Sequence, residues 1–190
     1  RTSGYLLHVM GRETMLAPVC WDKDAWPVVN ENGTIDIDMK CNTLPQTQMP
    51  IDPIREEFKY VKRKVPADSY SSIGLPWGWM SIGNPDYSRY SLTEREGWLR
   101  LHPTSTTLDE ATSPTFVARR QTELRFCATA LIDASHLVEG SQTGITAYAA
   151  PLNHYDVIVE RKNGKLFAKS NIRVGALSHD DQPIELKDAQ

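Results

Sequence analysis

A short turn between two apolar-rich segments places the strongest constraint on the fold of this chain. Residues 155–160 are typical of a β-strand, residues 166–168 are typical of a second one, and Asn163-Gly164 lies between them. Asn and Gly adopt positive φ at low cost, which is what a two-residue type I′ turn requires. The sequence therefore predicts an antiparallel hairpin here, with a further strand at residues 172–174.

Alternation of apolar and polar side chains recurs along the chain, whereas helical periodicity is scarce. Residues 98–101 predict a short strand, and residues 122–133 predict the clearest one. The apolar face of that clearest strand comprises Leu124, Phe126, Ala128, Ala130 and Ile132. Short strands separated by turn residues favour an all-β chain built as an antiparallel sandwich.

The first part of the chain predicts strands of its own. Residues 13–21 alternate, but both faces are apolar, so we expect a strand that is covered on both sides. Residues 28–29 and 35–37 flank Asn32-Gly33, which predicts a hairpin. Residues 39–53 are rich in proline and polar residues, which interrupt a strand ladder. We therefore predict a domain at 1–38, a linker at 39–53 and a second domain at 54–190.

Charge and hydropathy exclude several classes of partner. The formal net charge is −3 with a pI of about 6.0, and the charges are mixed along the chain. We therefore expect neither nucleic acid nor a membrane surface as a partner. No apolar run approaches the roughly 18 residues that span a bilayer. The chain opens with Arg1 and apolar residues follow at once, so we expect it to begin inside a longer protein.

The cysteines and histidines form no recognisable metal or catalytic pattern. Cys20, Cys41 and Cys127 are far apart, so we expect partly buried thiols, with a Cys20–Cys41 bridge as the alternative. The 5 histidines show neither HExxH nor paired spacing. Two pairs of acids, Asp22 with Asp24 and Asp36 with Asp38, are better explained as solvated groups than as a catalytic pair.

Several ordered motifs resemble glycoside hydrolase family 43. Gly11-Arg12-Glu13-Thr14, an apolar strand and then Ala25-Trp26-Pro27 are similar to the last strands of the family's five-bladed β-propeller. Further along, Glu56-Glu57-Phe58, residues 97–101 and Arg119-Arg120-Gln121 resemble its C-terminal sandwich. The resemblance implies terminal propeller strands followed by an antiparallel, lectin-like (jelly-roll) β-sandwich that is incomplete at residue 190.

The resemblance also implies a function. Family members are inverting hydrolases of xylose- or arabinose-containing glycans, in which one carboxylic acid protonates the leaving oxygen and another carboxylate activates water. The family's catalytic carboxylates precede the Gly11-Arg12 strand, so we expect no catalytic residue in this chain and no activity from it alone. The expected partners are xylo- or arabino-oligosaccharides and the remaining propeller. A non-catalytic carbohydrate-binding sandwich is the alternative.

Candidate binding residues follow from the resemblance and from residue chemistry. The resemblance implies that Arg12 reaches the sugar pocket, where a guanidinium offers a fixed fork of donors; a structural ion pair with Glu13 is the alternative. Trp77 and Trp79, with Trp98, Tyr87 and Tyr90, are candidates for stacking on sugar rings, against a role in packing. No cofactor is expected to be required. A structural calcium ion held by Glu57, or by Glu56, is a further hypothesis, with a plain solvated role as the alternative.

Overall fold

A computed structural model describes residues 14–40, 42, 45–48, 54–61, 74–75 and 78–187. The chain divides into two compact units, Arg1–Glu56 and Glu57–Gln190. The predicted linker at 39–53 lies partly outside the described residues and stays a prediction. No helix among the described residues is long and apolar enough to cross a membrane.

The first unit contains a small antiparallel hairpin. Its strands are β1 (Val19–Trp21) and β2 (Pro27–Val29), and a single helical turn, α1 (Asn30–Gly33), follows. The turn between the strands is closed by Asp22, whose carboxylate accepts hydrogen bonds from the backbone N–H of Asp24 at 2.9 Å and of Trp26 at 2.8 Å. Such a side-chain turn reverses the chain just after Trp21.

The predicted hairpin around Asn32-Gly33 is wrong. The Asp22 turn reverses the chain earlier, so Val28 and Val29 pair with Cys20 and Val19 instead. Asn32 and Gly33 belong to α1, and residues 35–37 form no strand. Of the strand predicted at residues 13–21, only Val19–Trp21 is a strand among the described residues, and its expected covering on both sides stays a prediction for the longer protein. Val19 and Trp21 are exposed, because the described residues of this unit supply no second layer against them.

The second unit is organised around one antiparallel sheet. Its order is β10 (Leu177–Asp180), β9 (Lys165–Val174), β8 (Asn153–Lys162) and β7 (Gln142–Ala150), and β11 (Ile184–Glu185) also pairs with β9. The predicted hairpin at Asn163-Gly164 is confirmed as β8–β9, with Lys162 opposite Lys165. Both turn residues have positive φ, 52° at Asn163 and 74° at Gly164, as a type I′ turn requires. The strand predicted at residues 172–174 is the end of β9.

Four short strands form two small ladders outside the main sheet. β3 (Trp79–Met80) pairs with β6 (Ala118–Arg119), and β4 (Tyr90–Ser91) pairs with β5 (Arg100–Leu101). A 3-10 helix, Tyr87–Arg89, leads into β4. The strand predicted at residues 98–101 is thus confirmed only at its last two residues.

The clearest predicted strand, residues 122–133, is wrong. The structure assigns no strand there, and Leu124, Phe126 and Leu131 are exposed. Alternation describes only how side chains would divide between two faces, whereas a strand also needs a partner for its backbone hydrogen bonds. No other described segment pairs with these residues.

The core of the second unit is small. Its buried apolar side chains among the described residues are Leu75, Tyr90, Leu92 and Phe116. The Phe116 ring lies 5.4 Å from the ring of Tyr148 on β7, so this core packs against one face of the main sheet. That face also carries polar groups, because residues 154 and 156 of β8 point the same way as Tyr148. Residues 155 and 157 point to the opposite, exposed face.

The predictions of an all-β chain and of antiparallel pairing agree with this architecture. Apart from α1 and the 3-10 helix, the described elements are β-strands, and every strand pair is antiparallel. The cysteine expectation is partly wrong, since Cys20 and Cys127 are exposed free thiols rather than partly buried ones. Cys41 lies outside the described residues.

Candidate functional site

Two of the predicted binding residues, Arg12 and Trp77, lie outside the described residues, so their roles stay predictions. Trp79 is described, and it lies on β3 directly opposite Arg119 of β6. That register places the indole and the guanidinium side by side. The guanidinium carbon of Arg119 lies 5.6 Å from the centre of the Trp79 ring. A cation at this distance is attracted to the electron-rich face of the ring.

Phe58 completes an aromatic–arginine group with Trp79 and Arg119. The Phe58 and Trp79 rings are 5.7 Å apart and inclined at 45°. Phe58 has a φ of 50°, which is unusual for a bulky residue and costs conformational energy. Trp79 is partly exposed, so an aromatic surface lies beside a guanidinium at this place. An aromatic face of this kind is suited to stacking on a sugar ring.

The other aromatic candidates have different roles. Tyr90 is buried, and its hydroxyl donates to the Phe116 carbonyl at 3.1 Å and accepts from the Phe116 N–H at 3.0 Å. Burial raises the pKa of the Tyr90 phenol. The packing alternative is therefore correct for Tyr90. Trp98 is covered on one face by Arg95, whose guanidinium carbon lies 4.0 Å from the ring centre.

The acidic candidates are solvated or structural. Asp22 closes the β1–β2 turn, and Asp36 is exposed, with the Asn30 amide 3.4 Å from its carboxylate. Glu57 is exposed. Among the described residues, no group of three or more His, Cys, Asp or Glu side chains is placed to hold a metal ion. The calcium hypothesis for Glu57 therefore stays a prediction, without co-ligands in the described part of the chain.

The sequence did not predict a cluster of ionisable side chains around two buried residues of the main sheet, His154 and Asp156. His154 is 2% exposed and Asp156 is 6% exposed, and His154 Nδ1 lies 2.8 Å from Asp156 Oδ2. His154 Nε2 lies 3.3 Å from Asp109 Oδ1, which also faces Arg173 Nε at 3.5 Å. The Tyr148 ring stacks on the imidazole at 5.8 Å. We call His154, Asp156, Asp109 and Arg173 the ionic cluster; His154 and Asp156 are its buried members.

Part of this cluster had a sequence signal. Asp156 lies on the strand predicted at residues 155–160, whereas His154 lies just before it; β8 begins at Asn153 and so places both side chains on one face. Asp109 lies 45 positions before His154 in a turn, and nothing local in the sequence indicates that the two meet. The position of Arg173 depends on the β8–β9 register, in which it pairs with His154.

Comparison with known proteins identifies the class of this fold. Residues 67–190 match the sequence profile described as the β-xylosidase C-terminal concanavalin A-like domain of family 43. The all-β sheet with its small ladders is thus an accessory sandwich domain. The chain belongs to glycoside hydrolase family 43.

Individual relatives agree with this assignment. A non-reducing-end α-L-arabinofuranosidase of Bacteroides ovatus is 35% identical over 159 residues, which cover 84% of this chain and 28% of that protein. A β-xylosidase of Formosa agariphila is 34% identical over 96 residues, covering 48% of this chain and 14% of that protein. This chain therefore spans about a quarter or less of the length of these relatives.

Solved structures extend the likeness to the fold. The structure of the GH43B protein of a Bacteroides ovatus xyloglucan PUL superposes with a TM-score of 0.67 at 27% identity, covering 92% of this chain and 32% of that one. A GH43 protein of Bacillus licheniformis superposes with a TM-score of 0.65 at 22% identity, covering 91% of this chain and 31% of that one. At that lower identity the likeness concerns the fold alone.

Proposed function

We propose that this chain is the C-terminal sandwich portion of an enzyme that hydrolyses xylose- or arabinose-containing glycans. The observation that supports the proposal is the family match over residues 67–190, together with relatives named as an arabinofuranosidase and a β-xylosidase. The sandwich would act by supporting a catalytic propeller, and the aromatic–arginine group would be a surface for the glycan.

The chemistry of inversion divides the work between this chain and the rest of the enzyme. An acid protonates the leaving oxygen while a base activates a water molecule on the opposite face of the sugar. Those two carboxylates are expected outside this chain. Arg12 would donate hydrogen bonds to sugar hydroxyls or to a neighbouring carboxylate, which its planar fork of donors suits.

Activity of the longer enzyme and of this chain tests the proposal. We expect the longer enzyme to release the aryl group from aryl β-xylosides or aryl α-L-arabinofuranosides, and the 190-residue chain alone to release none. Arg12→Ala should lower kcat/KM of the longer enzyme by at least about a hundredfold. Arg125→Ala, which changes an exposed arginine, is the matched control and should leave kcat/KM unchanged. No activity of the longer enzyme on either substrate would contradict the proposal.

The second candidate function is a non-catalytic carbohydrate-binding module. The observation that favours it is the partly exposed Trp79 beside Phe58 and Arg119. Calorimetric titration of this chain with xylo- and arabino-oligosaccharides tests it. Binding heat that disappears in Trp79→Ala and persists in Trp98→Ala would support the module. Absence of heat in the unaltered chain would leave the sandwich a supporting role.

A further inference from the structure

We propose that His154 is a proton-dependent clamp that holds the turn at residues 107–110 against the main sheet. The observation is that a carboxylate oxygen faces each of its two ring nitrogens. Asp156 Oδ2 lies 2.8 Å from Nδ1, and Asp109 Oδ1 lies 3.3 Å from Nε2. Asp156 belongs to the same strand as His154, whereas Asp109 belongs to the turn.

Hydrogen-bond chemistry links these two contacts to the protonation of the ring. A carboxylate only accepts, so each contact is a hydrogen bond only if the nitrogen carries a proton. The neutral imidazole has one N–H, and the imidazolium has two. Both bonds therefore form together only in the imidazolium, where they are also charge-assisted and stronger than neutral ones.

The charges around the ring balance in that state. Among the described residues, the groups facing His154 are Asp156 on β8, Asp109 in the turn, Arg173 on β9 and the uncharged Tyr148 ring on β7. The imidazolium and the guanidinium offset the two carboxylates. Loss of the proton leaves this cluster with one excess negative charge, and the electrostatic cost is large because His154 and Asp156 are buried.

The neutral ring has one N–H and can donate to only one of the two carboxylates. The structure favours Asp156 as that acceptor. Asp156 is buried, and its other oxygen, Oδ1, has no hydrogen-bond partner among the described residues, so loss of Nδ1–H would isolate the whole carboxylate. Asp109 has an exposed side chain, 55% accessible, and can be solvated by water instead. The bond to Asp109 is therefore the one that breaks when the ring loses a proton.

The turn is held together by its own hydrogen bonds. The Glu110 carboxylate accepts from the Thr107 N–H at 2.8 Å and the Thr107 hydroxyl at 3.3 Å, which braces residues 107–110 from within. The remaining charged contact of Asp109 among the described residues is Arg173 at 3.5 Å, a longer distance than a well-formed ion-pair hydrogen bond. Once the bond to His154 is lost, Arg173 is thus the charged partner that Asp109 keeps among the described residues.

Nitrogen-detected NMR and amide exchange across a pH series test the clamp. The long-range ¹⁵N–¹H spectrum of His154 reports which ring nitrogens carry protons, and hydrogen exchange reports protection of the amides of residues 107–110. We expect both nitrogens protonated at low pH with the turn protected. Deprotonation at Nε2 should coincide with an approximately tenfold loss of turn protection, beyond the ordinary pH dependence of exchange.

Two variants and a control make the outcome decisive. His154→Gln should remove the pH-linked loss of turn protection. Asp109→Asn changes only the exposed partner, so it tests the clamp even if the buried variant fails to fold; it should remove the same pH dependence and leave the ring bonded to Asp156. His179→Gln, an exposed histidine paired with Asp181, should keep the wild-type profile. A pH dependence of turn protection that does not follow the protonation of His154, or that remains unchanged in Asp109→Asn, would overturn the proposal.

Discussion

His154 and Asp156 point from the same face of β8 and form a buried hydrogen-bonded pair, with 2.8 Å between Nδ1 and Oδ2. The pair lies where the small apolar core meets the sheet, because Tyr148 contacts both the His154 ring and the Phe116 ring. Removing one member of a buried pair leaves the other charge without compensation, and that cost exceeds the gain from forming the pair.

Asp156→Ala should therefore lower the free energy of unfolding by about 3 kcal/mol. Urea denaturation followed by tryptophan fluorescence measures it. Asp180→Ala is the matched control, because Asp180 lies on the same sheet with a half-exposed side chain, and its loss should cost no more than about 0.5 kcal/mol. Equal destabilisation by the two substitutions would show that burial of the pair is not what stabilises this region.

Gly144→Ala should also destabilise the sheet, for a steric reason. A Cβ on Gly144 would lie 2.1 Å from the carbonyl oxygen of Val157 on the neighbouring strand, far inside contact distance. The two strands must separate to admit the methyl group, so we expect a loss of about 1–3 kcal/mol.

The reverse substitution on the same strand is the control for Gly144. Ala147→Gly at an exposed position of β7 should cost less than about 1 kcal/mol, from backbone entropy alone. Thermal unfolding of both variants compares them directly. A Gly144→Ala chain as stable as the parent would mean that β7 and β8 separate at no cost.

Asn163→Ala should weaken the β8–β9 hairpin. Asn163 has a φ of 52°, which asparagine tolerates better than alanine, so the substitution should cost about 1 kcal/mol. Asn163→Gly is the matched variant, and it should be close to neutral because glycine adopts this conformation freely. Urea midpoints of the two variants test the order, and a Gly variant less stable than the Ala variant would contradict it.

Local chemistry explains which elements could be predicted from the sequence. The β8–β9 hairpin depends on Asn163-Gly164 and on the residues beside it, so a short stretch contains nearly all of its determinants. Residues 122–133 have an equally clear alternation, but a strand there requires a partner that the pattern does not identify. In the first unit the chain reverses at a turn closed by the Asp22 side chain, and the more obvious turn signal at Asn32-Gly33 therefore misled the prediction.

For the candidate sites too, single residues could be identified from the sequence, whereas their distant partners could not. Trp79 could be singled out as an aromatic, but Arg119 meets it only through the ladder between β3 and β6, and Phe58 approaches it from a distant segment. The His154–Asp156 spacing was visible, whereas Asp109 reaches the ring from a distant turn. Residue chemistry thus identifies candidates, and the long-range pairing that assembles them comes from the structure.

Acid should destabilise the loop that precedes β7, because two of its carboxylates have lowered pKa values. Hydrogen bonds from Ser135, assisted by Arg95, lower the pKa of Asp133, and the backbone N–H groups of Gly164 and Asn163 lower the pKa of Glu139. A carboxyl group with a lowered folded-state pKa contributes stability above its unfolded pKa and loses it as pH falls through the folded one.

The loss should therefore begin below the ordinary pKa values of these groups, 3.8 for Asp133 and 4.5 for Glu139, and continue as pH falls further. Asp133→Asn and Glu139→Gln should each flatten the dependence of the urea midpoint on pH in this range. Glu139 is exposed and Asp133 is partly exposed, so the change is modest and diminishes with added salt. Glu123→Gln, an exposed acid before this loop, is the control and should keep the parental slope; a slope unchanged in all three variants would mean that other carboxylates cause the acid sensitivity.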